Sequence, residues 1–297
     1  MFAVLTGLGL LESPGWHDGR LWVSDWTSGL IRAVELPERD ADDDQPRVQV
    51  VLEHRSLPMC FDFLPDGSLV LTSAGQGLLR RSQDGSLTRY ADLSALSAQP
   101  VPRPFNDIVI DGRGNTYVNN VNFDFAAAPP AGEPAPGFVA LVAPDGHARV
   151  VADDLAFPNG MAVTADNATL IVAESYRHRL TAFGIGADGA LANRRVWAEM
   201  GAHSPDGICL DRDGAAWYAD VADKCCVRVG QGGEVLQRVQ LDRGAFACML
   251  GGPQGCTLFM VAAHWPGPQH LMNYTGWDGT VLSVPAPAAA AGWPGSG

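Results

Sequence analysis

Short apolar runs alternate with Gly-, Pro- and Asp-rich turns along almost the whole chain, and almost no apolar pattern of helical period and length interrupts them. One arrangement recurs: a turn, a short apolar strand, a D-G-type turn and a second β-rich strand. It is seen as Pro14 to Val23 around Asp18-Gly19, as Cys60 to Leu71 around Asp66-Gly67, and as Phe105 to Val118 around Gly114. It returns as Pro158 to Val172 around Asp166-Asn167, as Pro205 to Tyr218 around Asp213-Gly214, and in its weakest copy as Cys248 to Val261 around Gly255. Only Asp92 to Ala98 could form a helical turn or two.

The turn residues fall at 19, 67, 114, 167, 214 and 255, a repeat of about 40–50 residues with several short strands in each unit. That period predicts an all-β six-bladed β-propeller, because one small sheet leaves a face exposed and six around an axis bury it. Residues 1–285 are read as one propeller. It is expected to close by pairing an N-terminal strand with strands near Gly279 to Pro285. Residues 286–297, rich in Ala, Pro and Gly, are expected to be a disordered tail, and Ala126 to Gly137 a surface loop over one rim.

Composition then narrows the function. A hydrophobic fraction of 46% supports a large core, and no run approaches the roughly 20 apolar residues of a membrane helix. Met1 to Leu11 lacks a basic start and a small-residue cleavage site, so it is not read as a signal peptide and the chain is expected in the cytoplasm. With 33 acidic against 20 basic residues, the net charge of −13 disfavours nucleic acid and anionic membrane as partners. Part of that charge lies in Glu38 to Asp44, read as a solvated loop. The six cysteines show no C-x-x-C pair and read as reduced and buried. A small-molecule substrate and a monomer, or at most a weak homo-oligomer, are the expected partners.

The repeat also exposes chemistry. Eight residues before the turn residue stand Met59, Asn106, Asn159, Asp206 and Ala247, and in the first unit Leu11 with Glu12 beside it. The first strand of each blade lines the central channel, so Glu12, Asn106, Asn159 and Asp206 should converge near one mouth of it. Two carboxylates and two carboxamides make an all-oxygen set that suits a hard divalent cation. Asn and Asp beside Pro or Gly also make turns, so any one of these residues alone reads as a turn residue; the register of three, with Glu12, is what points to a metal-binding channel.

Four motifs now carry a resemblance. They are Leu11-Glu12-Ser13-Pro14 with Trp16, Phe105-Asn106-Asp107, Phe157-Pro158-Asn159-Gly160-Met161 and Ser204-Pro205-Asp206-Gly207-Ile208. With them the chain, from about Leu10 to about Val284, resembles the family of senescence marker protein 30, gluconolactonase and luciferin-regenerating enzyme. The resemblance implies a six-bladed propeller with one divalent ion: Ca²⁺ first, with Zn²⁺ or Mn²⁺ as alternatives. It implies Glu12, Asn159 and Asp206 as protein ligands, and Asn106 as a further ligand or a substrate contact. Arg103 and Asp124 are carried over as further substrate contacts, and His203 is added to them for its place directly before Ser204-Pro205-Asp206. Arg103 lies three residues before Asn106, whereas family members acting on sugar lactones carry an Arg two before.

The expected activity is a metal-dependent lactonase that opens a small cyclic ester to a hydroxy acid, with the metal polarising the carbonyl and Asp206 as the base that activates water. A phosphotriester or other ester hydrolase on the same site, or a metal-stabilised binding propeller without turnover, are the alternatives. No G-x-S-x-G elbow, H-x-x-x-H helix or nucleotide-binding P-loop offers another chemistry.

Overall fold

The computed structural model describes residues 1–37, 45–96, 103–124, 135–271 and 273–292. Among them, six four-stranded antiparallel sheets stand as the blades of a propeller. The first strands of the blades are Leu11–His17, Phe61–Phe63, Ile108–Ile110, Pro158–Val163, Ile208–Leu210 and Gly244–Gly251. These strands contact their counterparts in neighbouring blades and so surround the axis. Outermost strands such as Arg47–Glu53 and Val235–Gln240 face solvent.

The hairpins form where the repeat places them. Gly19, Gly67, Gly114, Gly214 and Gly255 all take positive φ, and Asn167, the substitute in the fourth unit, does the same at 59°. Glycine and asparagine tolerate this region, which is why the turns recur with those residues.

Six apolar clusters fill the six gaps between adjacent blades. Trp22, Ile31, Met59 and Phe61 lie between blades one and two, for example, and Trp217, Cys226, Cys248 and Met260 between blades five and six. Each blade is thus buried on both faces. Second strands are therefore buried along their whole length rather than at alternate residues, as in Leu69–Ser73. A buried Leu, Ile or Phe contributes roughly 1.5–3 kcal/mol, so these interfaces carry most of the stability. The six cysteines are free, five of them buried.

The sixth blade is completed from both ends of the chain. The strand Phe2–Leu8 pairs antiparallel with Gly279–Pro285, and Thr280 Oγ1 donates to the Leu5 carbonyl at 2.7 Å. The predicted tail is ordered further than its composition suggests. The Ala290 amide donates to Gly255 O at 2.9 Å and the Ala291 amide to Leu210 O at 3.0 Å, while Ala289 O accepts from the Arg212 amide at 2.8 Å. Disorder from residue 286 is therefore not observed as far as Gly292: backbone pairing to two hairpins holds a segment whose side chains alone would not. Residues 293–297, the acidic run 38–44 and most of the predicted rim loop, 125–134, lie outside the described residues. The helical candidate near Asp92 is a single 3₁₀ turn, Ser94–Leu96. No helix among the described residues is long and apolar enough to cross a membrane.

Candidate active site

Two spaces meet on the axis. A tunnel of about 160 Å³ is lined by first-strand residues of all six blades, and at its hairpin end it is bordered by Ala290, Ala291 and Gly292. At the opposite end opens a wider cavity of about 700 Å³. Glu12, Asn106 and Asn159 line both spaces, and Asp206 lines the cavity. The four residues predicted from register are thus brought together from four blades.

Local backbone irregularities aim them. A one-residue bulge follows Glu12, and Ser13 takes φ 46°. This breaks the strand's alternation, so Glu12 reaches the same floor although it is one place out of register in the turn count. A second bulge, between Pro158 and Met161, carries Asn159. The Asn106 amide donates to Asn119 O at 2.9 Å and the Asp206 amide to Ala219 O at 2.8 Å, which anchors both residues to second strands. Gly160 and Gly207 follow two of the four residues because neighbouring blades press closest there. A Cβ on Gly207 would stand 2.3 Å from Ala247 Cβ, and one on Gly160 would stand 2.5 Å from Asp206 O.

Side chains link the set. Asn106 Nδ2 donates to Asn159 Oδ1 at 3.4 Å, and Asn159 Nδ2 to Ser175 Oγ at 3.4 Å. Ser175 in turn donates to Pro205 O at 2.7 Å.

Electrostatics show what the floor is suited to hold. Burial raises the Asp206 carboxyl well above the usual carboxylate range, and the charges of Glu12, Asp107 and Asp220 add to the rise, against a hydrogen bond from Asn159. Burial and then Asp107 push Glu12 up to about 8, against the Ser13 amide. Asp107 is itself raised by burial to about 7, although the Met161 amide donates to it at 2.8 Å. Among the described lining residues Arg103 is the one permanent cation, and its Nη1 lies 3.1 Å from Asp124 Oδ2. Crowded carboxylates with two carboxamides and no basic side chain between them are a hard-cation donor set.

Arg103 and Asp124 line the cavity as an ion pair. His203 is not among its lining residues. Its ring turns to Asp223 and to Asp220, whose nearest oxygen is 3.6 Å away, and Asp220 also accepts from the Ser204 and Asp223 amides at 3.0 and 2.9 Å. Sequence reasoning passed over Asp107 and Asp62, which line the tunnel. Asp62 bridges blades two and three by accepting from the Ile110 amide at 2.7 Å. The readable signal was a carboxylate between two aromatics in Phe61-Asp62-Phe63, a pattern that an apolar inner strand does not need. Trp265 lines the cavity with Phe123, Phe157, Tyr176 and Phe246.

Known proteins agree with this architecture. A solved luciferin-regenerating enzyme superposes with a TM-score of 0.77 at 18% identity, over 98% of this chain and 96% of that one. A gluconolactonase from Xanthomonas campestris gives 0.71 at 22%, over 95% and 89%. In sequence, Pentonolactonase XacC of Haloferax volcanii is 25% identical over 268 residues, 88% of this chain and 84% of its own. Regucalcin of Bos taurus is 26% identical over 85% and 82%. The pattern described as the SMP-30/Gluconolactonase/LRE-like region matches residues 10–264, so the chain belongs to that family of six-bladed propellers.

Proposed function

We propose that this protein is a divalent-metal-dependent lactonase whose floor residues Glu12, Asn106, Asn159 and Asp206 hold the ion. The observation that carries the reading is the convergence of these four oxygen-bearing side chains, from four blades, at the floor of one cavity. Lactonases among the relatives support the reaction class, and a structural relative described as a calcium-binding regucalcin favours Ca²⁺ over Zn²⁺ or Mn²⁺.

When bound, the ion supplies Lewis-acid polarisation of the ester carbonyl and offsets the charge that builds on it. Asp206 takes the proton from the attacking water. Asp206 would act in its ionised form, which a cation held by the floor residues would favour against the upward shift that burial imposes. Glu12 and Asn159 fix the donor geometry, and Asn159 steadies the Asp206 carboxylate through its amide. Asn106 can donate to the substrate's ester oxygens, and Arg103, paired with Asp124, sits on the wall to orient the ring. The water oxygen bonds to the carbonyl carbon, the ring C–O bond breaks, the leaving oxygen takes back the proton held by Asp206 to become the hydroxyl, and the product is a hydroxy acid.

The test is elemental analysis coupled to a proton-release assay on simple lactones. Wild type should carry about one divalent ion per chain. Asp206→Asn should keep its circular dichroism and lose activity by about 10²–10⁴-fold, the range for a general base. Proton release unaffected by chelator and by Asp206→Asn would overturn the mechanism.

A further inference from the structure

The cavity over the floor is built for carbon rather than for hydroxyl groups. Polar side chains concentrate at its base, where Glu12, Asn106, Asn159 and Asp206 meet Ser175 and Ser204. Above them, among the described lining residues, the charged pair Arg103–Asp124 is internally matched at 3.1 Å, and the Ser175 hydroxyl below is spent on Pro205 O.

The rest of the wall is dominated by rings and aliphatic carbon in two facing arcs. On one side Phe123, Phe157 and Tyr176 pack with centroids 4.7–5.9 Å apart. On the other, Phe246 and Trp265 meet edge to face at 5.5 Å, with Trp26 beyond. Phe157 is held at φ 56°, a conformation a bulky residue adopts only when its surroundings impose it. Tyr176 stays 52% exposed at the cavity, an aromatic left in water without a burial reason of its own.

We infer that this site selects lactones carrying a ring-sized apolar substituent over polyhydroxylated sugar lactones; the inference rests on the lactonase reading and specifies its substrate class. A substituent of that kind would lie between the two arcs while the ester group reaches the floor. A polyhydroxylated ring in the same place would lose water from its hydroxyls against carbon and recover few partners. A space of about 700 Å³ also exceeds the need of one six-membered ring.

The experiment uses the calcium-loaded protein and three δ-lactones: δ-valerolactone, the same ring with a phenyl group on the carbon beside the ring oxygen, and D-glucono-δ-lactone. The phenyl lactone should show kcat/KM about tenfold or more above the other two, a size typical of apolar pocket discrimination. In Trp265→Ala and Tyr176→Ala the ratio of phenyl to unsubstituted lactone should fall to about two or less. Calorimetric binding of 2-phenylcyclohexanone, which cannot be hydrolysed, should be tighter than that of 1,5-anhydroglucitol.

A preference for the glucono-lactone, or equal rates on all three, overturns the inference and leaves the lactonase reading standing. Binding of the phenyl ketone with no lactone opened supports the apolar pocket and overturns the lactonase reading instead.

Discussion

Asp62 differs from the ligand candidates in having no partner role at the cavity floor. It lines the tunnel, bonded to the Ile110 and Phe63 amides, and burial still raises it to about 7. Its folded value thus exceeds its unfolded one, so the protonated form is favoured on folding. The stabilising effect is complete below about pH 4 and is lost as pH rises through about 7, at about 1.4 kcal/mol per pH unit within that window. With chelator present, the stability of wild type relative to Asp62→Asn should fall as pH goes from 5.5 to 8, followed by urea denaturation. A gap that stays constant over that range would show that Asp62 is solvated and unshifted.

The same scale shows what could be read in advance. Asn106, Asn159 and Asp206 were legible because the repeat aligned them, and Glu12 because it stood beside the aligned place. Asp107 was passed over although it follows Asn106 directly, since the turn count marks one position and says nothing of its neighbour. His203 looked like a substrate contact by sequence proximity to Asp206; carboxylates on the following turn, Asp220 and Asp223, take its ring instead.

At the level of single strands, the hairpins were readable because their left-handed positions demand glycine or asparagine. The bulges were not, because a bulge depends on a partner strand that the local sequence does not name. They matter for function, since Glu12 and Asn159 both leave regular pairing at one. The glycines that let neighbouring inner strands close up are equally constrained. Gly207→Ala would set a methyl 2.3 Å from Ala247 Cβ and 2.7 Å from its Cα. Overpacking of this kind costs about 1–3 kcal/mol, so the melting temperature should drop by several degrees and affinity for the proposed divalent ion should weaken with it, because Asp206 is the preceding residue. A variant that melts with wild type in differential scanning calorimetry would mean that the first strands of blades five and six slide apart freely.

For the molecule as a whole, the ring depends on one strand contributed by the other end of the chain. Deleting residues 1–8 would remove the partner of Gly279–Pro285 and leave an unpaired sheet edge. The lost hydrogen bonds, at roughly 0.5–1.5 kcal/mol each, together with the bared edge should lower the unfolding midpoint and produce aggregates on size-exclusion chromatography. A truncated protein that elutes and melts as wild type would show that five complete blades and a three-stranded sixth suffice. The six-fold architecture and its closure were legible because the period is carried by turn chemistry in every unit. The ordered segment 286–292 was not legible, because its bonds are backbone bonds to distant hairpins and any small residues could make them.

That closure sets a timetable for synthesis on the ribosome. The strand Phe2–Leu8 emerges before the other described strands, yet the strand it pairs with ends at Pro285. Phe2–Leu8 must therefore wait unpaired until the strand ending at Pro285 has been translated. Glu12 waits with it, since Asp206 arrives some two hundred residues later. A chain stalled anywhere before the fifth blade would possess neither a sealed ring nor all four of the floor residues Glu12, Asn106, Asn159 and Asp206.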